Sequence, residues 1–189
     1  MSATKDYLEQ MVSIRKTMYR HDYPYSCFEE FVLKNGVEFY NVSDRKKIKL
    51  GKAKECFKNA FDLANTRVGL HYVEGFASTK ALGLPFLHAW CVNKEGVVYD
   101  PTWPDGENYF GVIFSMEYVM KTIVRRKSYG VIDNMECGFP LLTGKDTYVY
   151  PFKRGTVESY FDDESLISSI TTKSYLFTII VSIVSDSSF

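Results

Sequence analysis

The chain has 189 residues, with 23 Lys and Arg against 23 Asp and Glu, so its formal net charge is zero. That length sets one domain with at most an appended tail, and the charge balance excludes a nucleic-acid binder held by bulk charge. Fourteen Tyr and fourteen Phe supply a sizeable aromatic core, and the opening MSATKDYLEQM has no apolar stretch of the signal-peptide kind. A cytoplasmic protein whose four cysteines are thiols is expected.

Taken in chain order, residues 4–19 repeat Tyr7, Leu8, Met11, Ile14, Arg15 and Met18 at intervals of three and four. This predicts an amphipathic helix, capped by Thr4 and ended at His21-Asp22-Tyr23-Pro24. Residues 26–34 predict a short second helix with Phe28, Phe31 and Val32 inward and Asn35-Gly36 as its stop. Residues 37–42 alternate as a strand. Residues 44–49, DRKKIK, form a basic run. It reads as a solvated loop, or as a device that steers an acidic substrate to the thiol just beyond it. Residues 54–66 predict a helix with Phe57, Ala60, Phe61 and Ala64 as its buried stripe.

Three strands follow at 71–77, 86–92 and 96–100, the last two folded into a hairpin by a turn at 93–96. Residues 109–114 are a further apolar run. Ser115 then caps a helix over 116–127 whose Tyr118, Val119, Ile123 and Val124 face inward. Residues 129–133 read as a loop or short strand, 148–151 as an edge strand and 157–169 as a helix. The last fifteen residues, YLFTIIVSIVSDSSF, hold only about ten apolar residues, short of the ~20 that span a bilayer. No internal repeat, P-loop or dinucleotide fingerprint is present.

The chemistry concentrates in three residues. Cys56 stands at the start of the third predicted helix, His88 opens the strand HAWCV, and Asp100 closes the next strand, GVVYDPTW. A thiolate is the nucleophilic form of cysteine, and both a helix N-terminus and a neighbouring imidazolium favour it. The imidazole needs an acceptor on its second nitrogen to fix its orientation and tautomer. In an antiparallel hairpin the start of one strand lies beside the end of the next, so His88 and Asp100 are expected to be neighbours. Trp90 and Trp103 flank these residues, as walls of a cleft or as core.

The order and local sequence resemble the transglutaminase-like branch of the papain-like cysteine enzymes. HAWCV followed by VVYDPTW resembles that family's His-Ala-Trp and Asp-Pro-Thr motifs, CFKNAFDLA its nucleophile helix, and GLHYVEGFAS its intervening strand. The resemblance covers residues 51–103. It implies an α+β fold, a papain-like or transglutaminase-like core with the nucleophile helix packed on a small antiparallel sheet. The implied domain spans residues 1–165, and an apolar C-terminal tail spans 166–189. It further implies a cysteine-dependent acyl-transfer enzyme: Cys56 as nucleophile, His88 as general base and acid, Asp100 as orienter. Hydrolysis of an amide or isopeptide bond in a protein or peptide substrate is expected, with transglutamination and glutamine deamidation as forms of the same chemistry. Glu55 departs from the family pattern, and its charge opposes a thiolate if turned inward; Lys52 and Lys54 offset it.

Each residue also has a plainer reading: Cys56 as a small apolar residue, His88 as a satisfied core histidine, Asp-Pro-Thr as a turn. A protein-binding module that keeps the fold without catalysis is the alternative from another class. Cys56, Cys91, Cys137 and His88 suit zinc in kind. However, no Cys-x-x-Cys pair exists, and His88 and Cys91 point to opposite faces of a strand. No metal and no cofactor are expected. Cys27, Cys137, His21 and His71 read as packing or loop residues.

Overall fold

The computed structural model describes residues 3–18, 23–43 and 48–146. All of them fall in the compact unit Met1–Tyr150. The sequence readings at 19–22, 44–47 and 148–169, the domain boundary at 165 and the apolar tail lie outside the described residues.

Five α-helices and five strands are present among the described residues: α1 (Ala3–Met18), α2 (Phe28–Asn35), β1 (Val37–Phe39), α3 (Cys56–Thr66), β2 (His71–Thr79), β3 (Phe86–Val92), β4 (Val98–Tyr99), β5 (Gly106–Phe114), α4 (Met116–Arg126) and α5 (Pro140–Thr143). The class is α+β. The strands form one sheet in the order β1-β5-β2-β3-β4, and every pairing is antiparallel. Beyond β1 the chain passes to the opposite edge, where Val42 makes a parallel bridge to Val98 of β4. The Val98 N–H donates to Asn41 O at 2.8 Å and the Ser43 N–H to Val98 O at 2.9 Å. One segment thus touches both edges of the sheet, which requires the sheet to curl.

Side chains alternate between two environments, as strand geometry demands. On the outer face Tyr72, Phe76, Ala89, Cys91, Phe110, Val112 and Phe114 pack with Leu8, Phe31, Ala60, Phe61 and Ala64 of the helices. On the other face Trp90 is wholly buried and meets Phe39 and Tyr109 edge-on, at ring-centroid distances of 5.9 and 5.0 Å. Gly111 makes room for it: a Cβ there would sit 2.6 Å from the Trp90 ring.

The third helix, the hairpin and the fourth helix form as the sequence reads. The turn is closed by Gly96 N–H to Asn93 O at 3.0 Å and by Val97 N–H to the Asn93 side chain at 2.8 Å. Ser115 caps α4 by accepting from the Tyr118 N–H. Other readings need correction. Thr4 lies inside α1 rather than capping it, and its Oγ1 donates to Asn108 O on β5 at 2.7 Å. Ile14 and Met18 are 44% and 67% exposed, and the buried residues of α1, Thr4 and Leu8, lie in its first half. Val124 also faces water, and Thr122 takes its place in the buried stripe of α4. The run at 109–114 is the second half of a nine-residue strand beginning at Gly106. β4 is only two residues long, since the Asp100 side chain turns the chain immediately afterwards. No helix among the described residues is long and apolar enough to cross a membrane.

One buried charge is unexpected. Glu74, in the middle of β2, has no exposed surface. It accepts from Tyr72 Oη at 2.6 Å and from the Ile132 N–H at 2.9 Å. Burial pushes its carboxyl up to about 7, although the hydrogen bonds from Ile132, Tyr72 and Val131 oppose the shift. A carboxyl raised in the folded state stabilises the fold fully below its unfolded value, near 4.5, and loses that contribution as pH rises through 7. Glu74→Gln keeps shape and partners without the charge. Urea denaturation at pH 5.5 and 8.5 should show the variant gaining about 2 kcal/mol on wild type between the two. A constant difference would place the titration elsewhere.

Candidate active site

Two loops meet where α3 begins. Gly51 N–H donates to Pro101 O at 2.7 Å, fastening the loop before Cys56 to the turn after Asp100. Asn59, one turn into α3, ties the same two segments: its Nδ2 donates to Lys52 O at 2.8 Å and to Thr102 Oγ1 at 3.0 Å. Gly51 is pressed so closely on Asn59 that a Cβ would lie 2.2 Å from the amide oxygen. Lys54 takes a left-handed backbone, φ 67°, which costs an ordinary residue about 1 kcal/mol. Cys56 follows as the first residue of α3, half-buried, behind an N-cap residue, Glu55, that makes no side-chain cap. The first N–H groups of a helix have no acceptor within it, so the thiol sits beside free donors and the positive end of the helix dipole. Glu55 is turned to Lys52, at 2.6 Å.

His88 and Asp100 are 1% and 4% exposed. His88 Nε2 lies 2.9 Å from Asp100 Oδ2. Tyr109 Oη donates to the same oxygen at 2.8 Å, and the N–H groups of Thr102 and Trp103 donate to Oδ1 at 2.8 and 2.9 Å. Burial pushes the Asp100 carboxyl up, but the hydrogen bond from His88 and the two backbone donors outweigh it and hold the group below its ordinary value. An ionised acceptor on Nε2 fixes that nitrogen as the donor. Cys56 lies close enough to the same ring to act on its charge, and with Nε2 taken by Asp100 the nitrogen left for a thiol is Nδ1.

Burial alone would lower the His88 pKa. The Asp100 carboxylate, and after it Cys56, reverse this and raise it to about 9, which favours the imidazolium at neutral pH. Trp103 covers one face of it, with ring centroids 3.7 Å apart and planes 7° from parallel. Trp90 lies near-parallel at 6.2 Å. A cation against an aromatic face is favoured further. Of the two tryptophans, Trp90 is core and Trp103 touches the site.

His88 and Asp100 are in contact, and Cys56 lies near the His88 ring. Sequence reasoning missed Tyr109, Asn59 and the backbone donors at 102–103. Asn59 had a readable signal, being a polar residue inside the apolar stripe of α3. Cys91 points away from His88 and donates to Ala60 O at 3.2 Å. All four cysteines are free. Among the described residues no group of three or more His, Cys, Asp or Glu side chains converges as a metal site. Comparison with protein-family models, curated proteins and solved structures gives no match for this chain.

Proposed function

We propose that this protein is a cysteine-dependent acyl-transfer enzyme on a transglutaminase-like, papain-like core, and that it hydrolyses an amide or isopeptide bond in a protein or peptide substrate. The observation that carries this is the buried His88–Asp100 pair, 2.9 Å apart, with the thiol of Cys56, at a helix start, close enough to act on the imidazole. A plain core histidine has no need of an ionised carboxylate with four donors.

In the proposed cycle the Cys56 thiolate attacks the substrate carbonyl carbon. The oxyanion is stabilised by N–H groups at the start of α3. The C–N bond breaks as the His88 imidazolium gives its Nδ1 proton to the leaving amine, leaving a thioester and neutral imidazole. Water attacks the thioester while His88 takes its proton. The carboxylic acid leaves, and thiolate and imidazolium are restored. An amine in place of water gives transfer instead. Four free thiols suit a cytoplasmic setting.

The first test needs no substrate. Brief treatment with iodoacetamide at pH 6, read by mass spectrometry, should label Cys56 before Cys27, Cys91 or Cys137. Cys91 is wholly buried, and Cys27 has its thiol pushed up by burial. Labelling that begins at Cys137 would sink the activated nucleophile.

A further inference from the structure

The segment that leads into Cys56 is basic. Residues 44–58 contain seven Lys and Arg against two acidic residues, in a chain whose 23 basic residues are matched by 23 acidic ones. In the described part of this segment Lys49, Lys52 and Lys54 are exposed. Lys52 is paired with Glu55, while Lys49 and Lys54 make no ion pair among the described residues. These charges do not ride on a free loop. The backbone that carries them is fastened by Gly51 to Pro101 and by Lys52 to Asn59, the same ties that set the start of α3. Lys52 and Lys54 stand four and two residues before the nucleophile.

We infer that the substrate of this site is an acidic polypeptide segment, with Asp or Glu residues within about five positions of the reacting amide, drawn in by Lys49, Lys52 and Lys54. This rests on the reading of Cys56 as an acyl-transfer nucleophile. A nucleic acid fits less well. The loop from Ile48 to Lys54 contains no aromatic residue on which a base would stack, and Leu50, 47% exposed between the lysines, offers contact to a peptide side chain. An acidic peptide also meets a protonated His88, whose charge adds to the same field.

The test uses three affinity labels: chloroacetyl-Gly-Glu-Glu-Glu-amide, its Gln-Gln-Gln counterpart and its Lys-Lys-Lys counterpart. Each is scored by its second-order rate at Cys56. In 20 mM NaCl the acidic label should react at least ~5-fold faster than the neutral one, and the basic label slower than both. At 0.5 M NaCl the acidic-to-neutral ratio should fall below about 2, because exposed charges are then screened. The combined variant Lys49→Gln, Lys52→Gln, Lys54→Gln should show a ratio below about 2 even in low salt, with an unchanged melting temperature as the fold control.

A wild-type ratio near one, or a ratio that survives in the triple variant, overturns the inference. So does an oligothymidylate that protects Cys56 from the acidic label at concentrations where poly-glutamate does not. Failure of the parent reading looks different: iodoacetamide then shows no preference for Cys56 at all.

Discussion

Replacing His88 with alanine should slow iodoacetamide labelling of Cys56 at pH 6 by roughly 100-fold. An ordinary thiol with a pKa near ~8.5 is less than ~1% ionised at that pH, and a neighbouring imidazolium favours the thiolate form that alkylates. The gain is smaller than the ratio of ionised fractions, because a stabilised thiolate is a weaker nucleophile. Alanine also strips the buried Asp100 carboxylate of one of its four donors, at about 1–3 kcal/mol. His88→Gln therefore serves as a second variant, since its amide N–H can still donate to Asp100. Both should lose the labelling rate while circular dichroism shows the fold retained. Wild-type labelling in either folded variant would remove the imidazole from the chemistry.

Asp100→Asn should lower turnover by about 10²–10⁴-fold and move the alkaline limb of the pH–rate profile. In wild type His88 keeps its proton up to about 9, so the acid needed by the leaving amine is lost only as pH rises through that value. Asparagine keeps an oxygen for the Thr102 and Trp103 N–H groups, but turns an NH2 toward His88 Nε2 and Tyr109 Oη. The ring must then accept on Nε2 and carry its proton on Nδ1, the tautomer that cannot take a proton from the thiol or from water. Without the carboxylate the imidazolium is disfavoured, so the limb should shift from about 9 toward 6.5. Stability follows the same sign. The contribution of a raised histidine is complete below its unfolded pKa and lost as pH rises through the folded one, so wild type should lose more stability than Asp100→Asn between pH 6.5 and 9.5. Thermal melts and pH–rate profiles on any substrate found among peptide, isopeptide and glutamine amides provide the measurements. An unmoved limb would mean that Asp100 does not set the imidazole.

The site was legible because its three residues sit on short, strongly patterned elements. Asn93 and Gly96 dictate a hairpin, a hairpin puts the start of one strand beside the end of the next, and His88 and Asp100 occupy those places. Cys56 was legible as a helix start for the same local reason. What could not be read was anything fixed by distant partners. Thr4 looks like a cap because caps are local, but its hydroxyl is spent on Asn108. Val124 obeys the helical period yet is exposed, because among the described residues the packing on α4 falls on Val119, Thr122 and Ile123 instead. Glu74 interrupts an apolar strand; Tyr72 is a local partner on the same face, but nothing nearby in sequence announces the backbone N–H of Ile132, 58 residues later. Gly36 follows Asn35 as a helix stop should, but its backbone is extended, φ −98°. The reason for a glycine there is crowding, since a Cβ would lie 2.8 Å from Gly111 O.

The pairing of β1 with β5, rather than with its neighbours in sequence, bears on how the chain acquires its shape. Val37 waits for Gly111, and the Thr4 hydroxyl for a carbonyl 104 residues later. Contacts at such separations are slow to form because a long loop must be closed before they yield any stabilisation. On the ribosome, the first forty residues emerge with their partners still unmade. The central hairpin, with His88 and Asp100 already side by side, can close early. The N-terminal helices are thus made first and docked late, and the sheet is sealed only once Phe114 has left the exit tunnel.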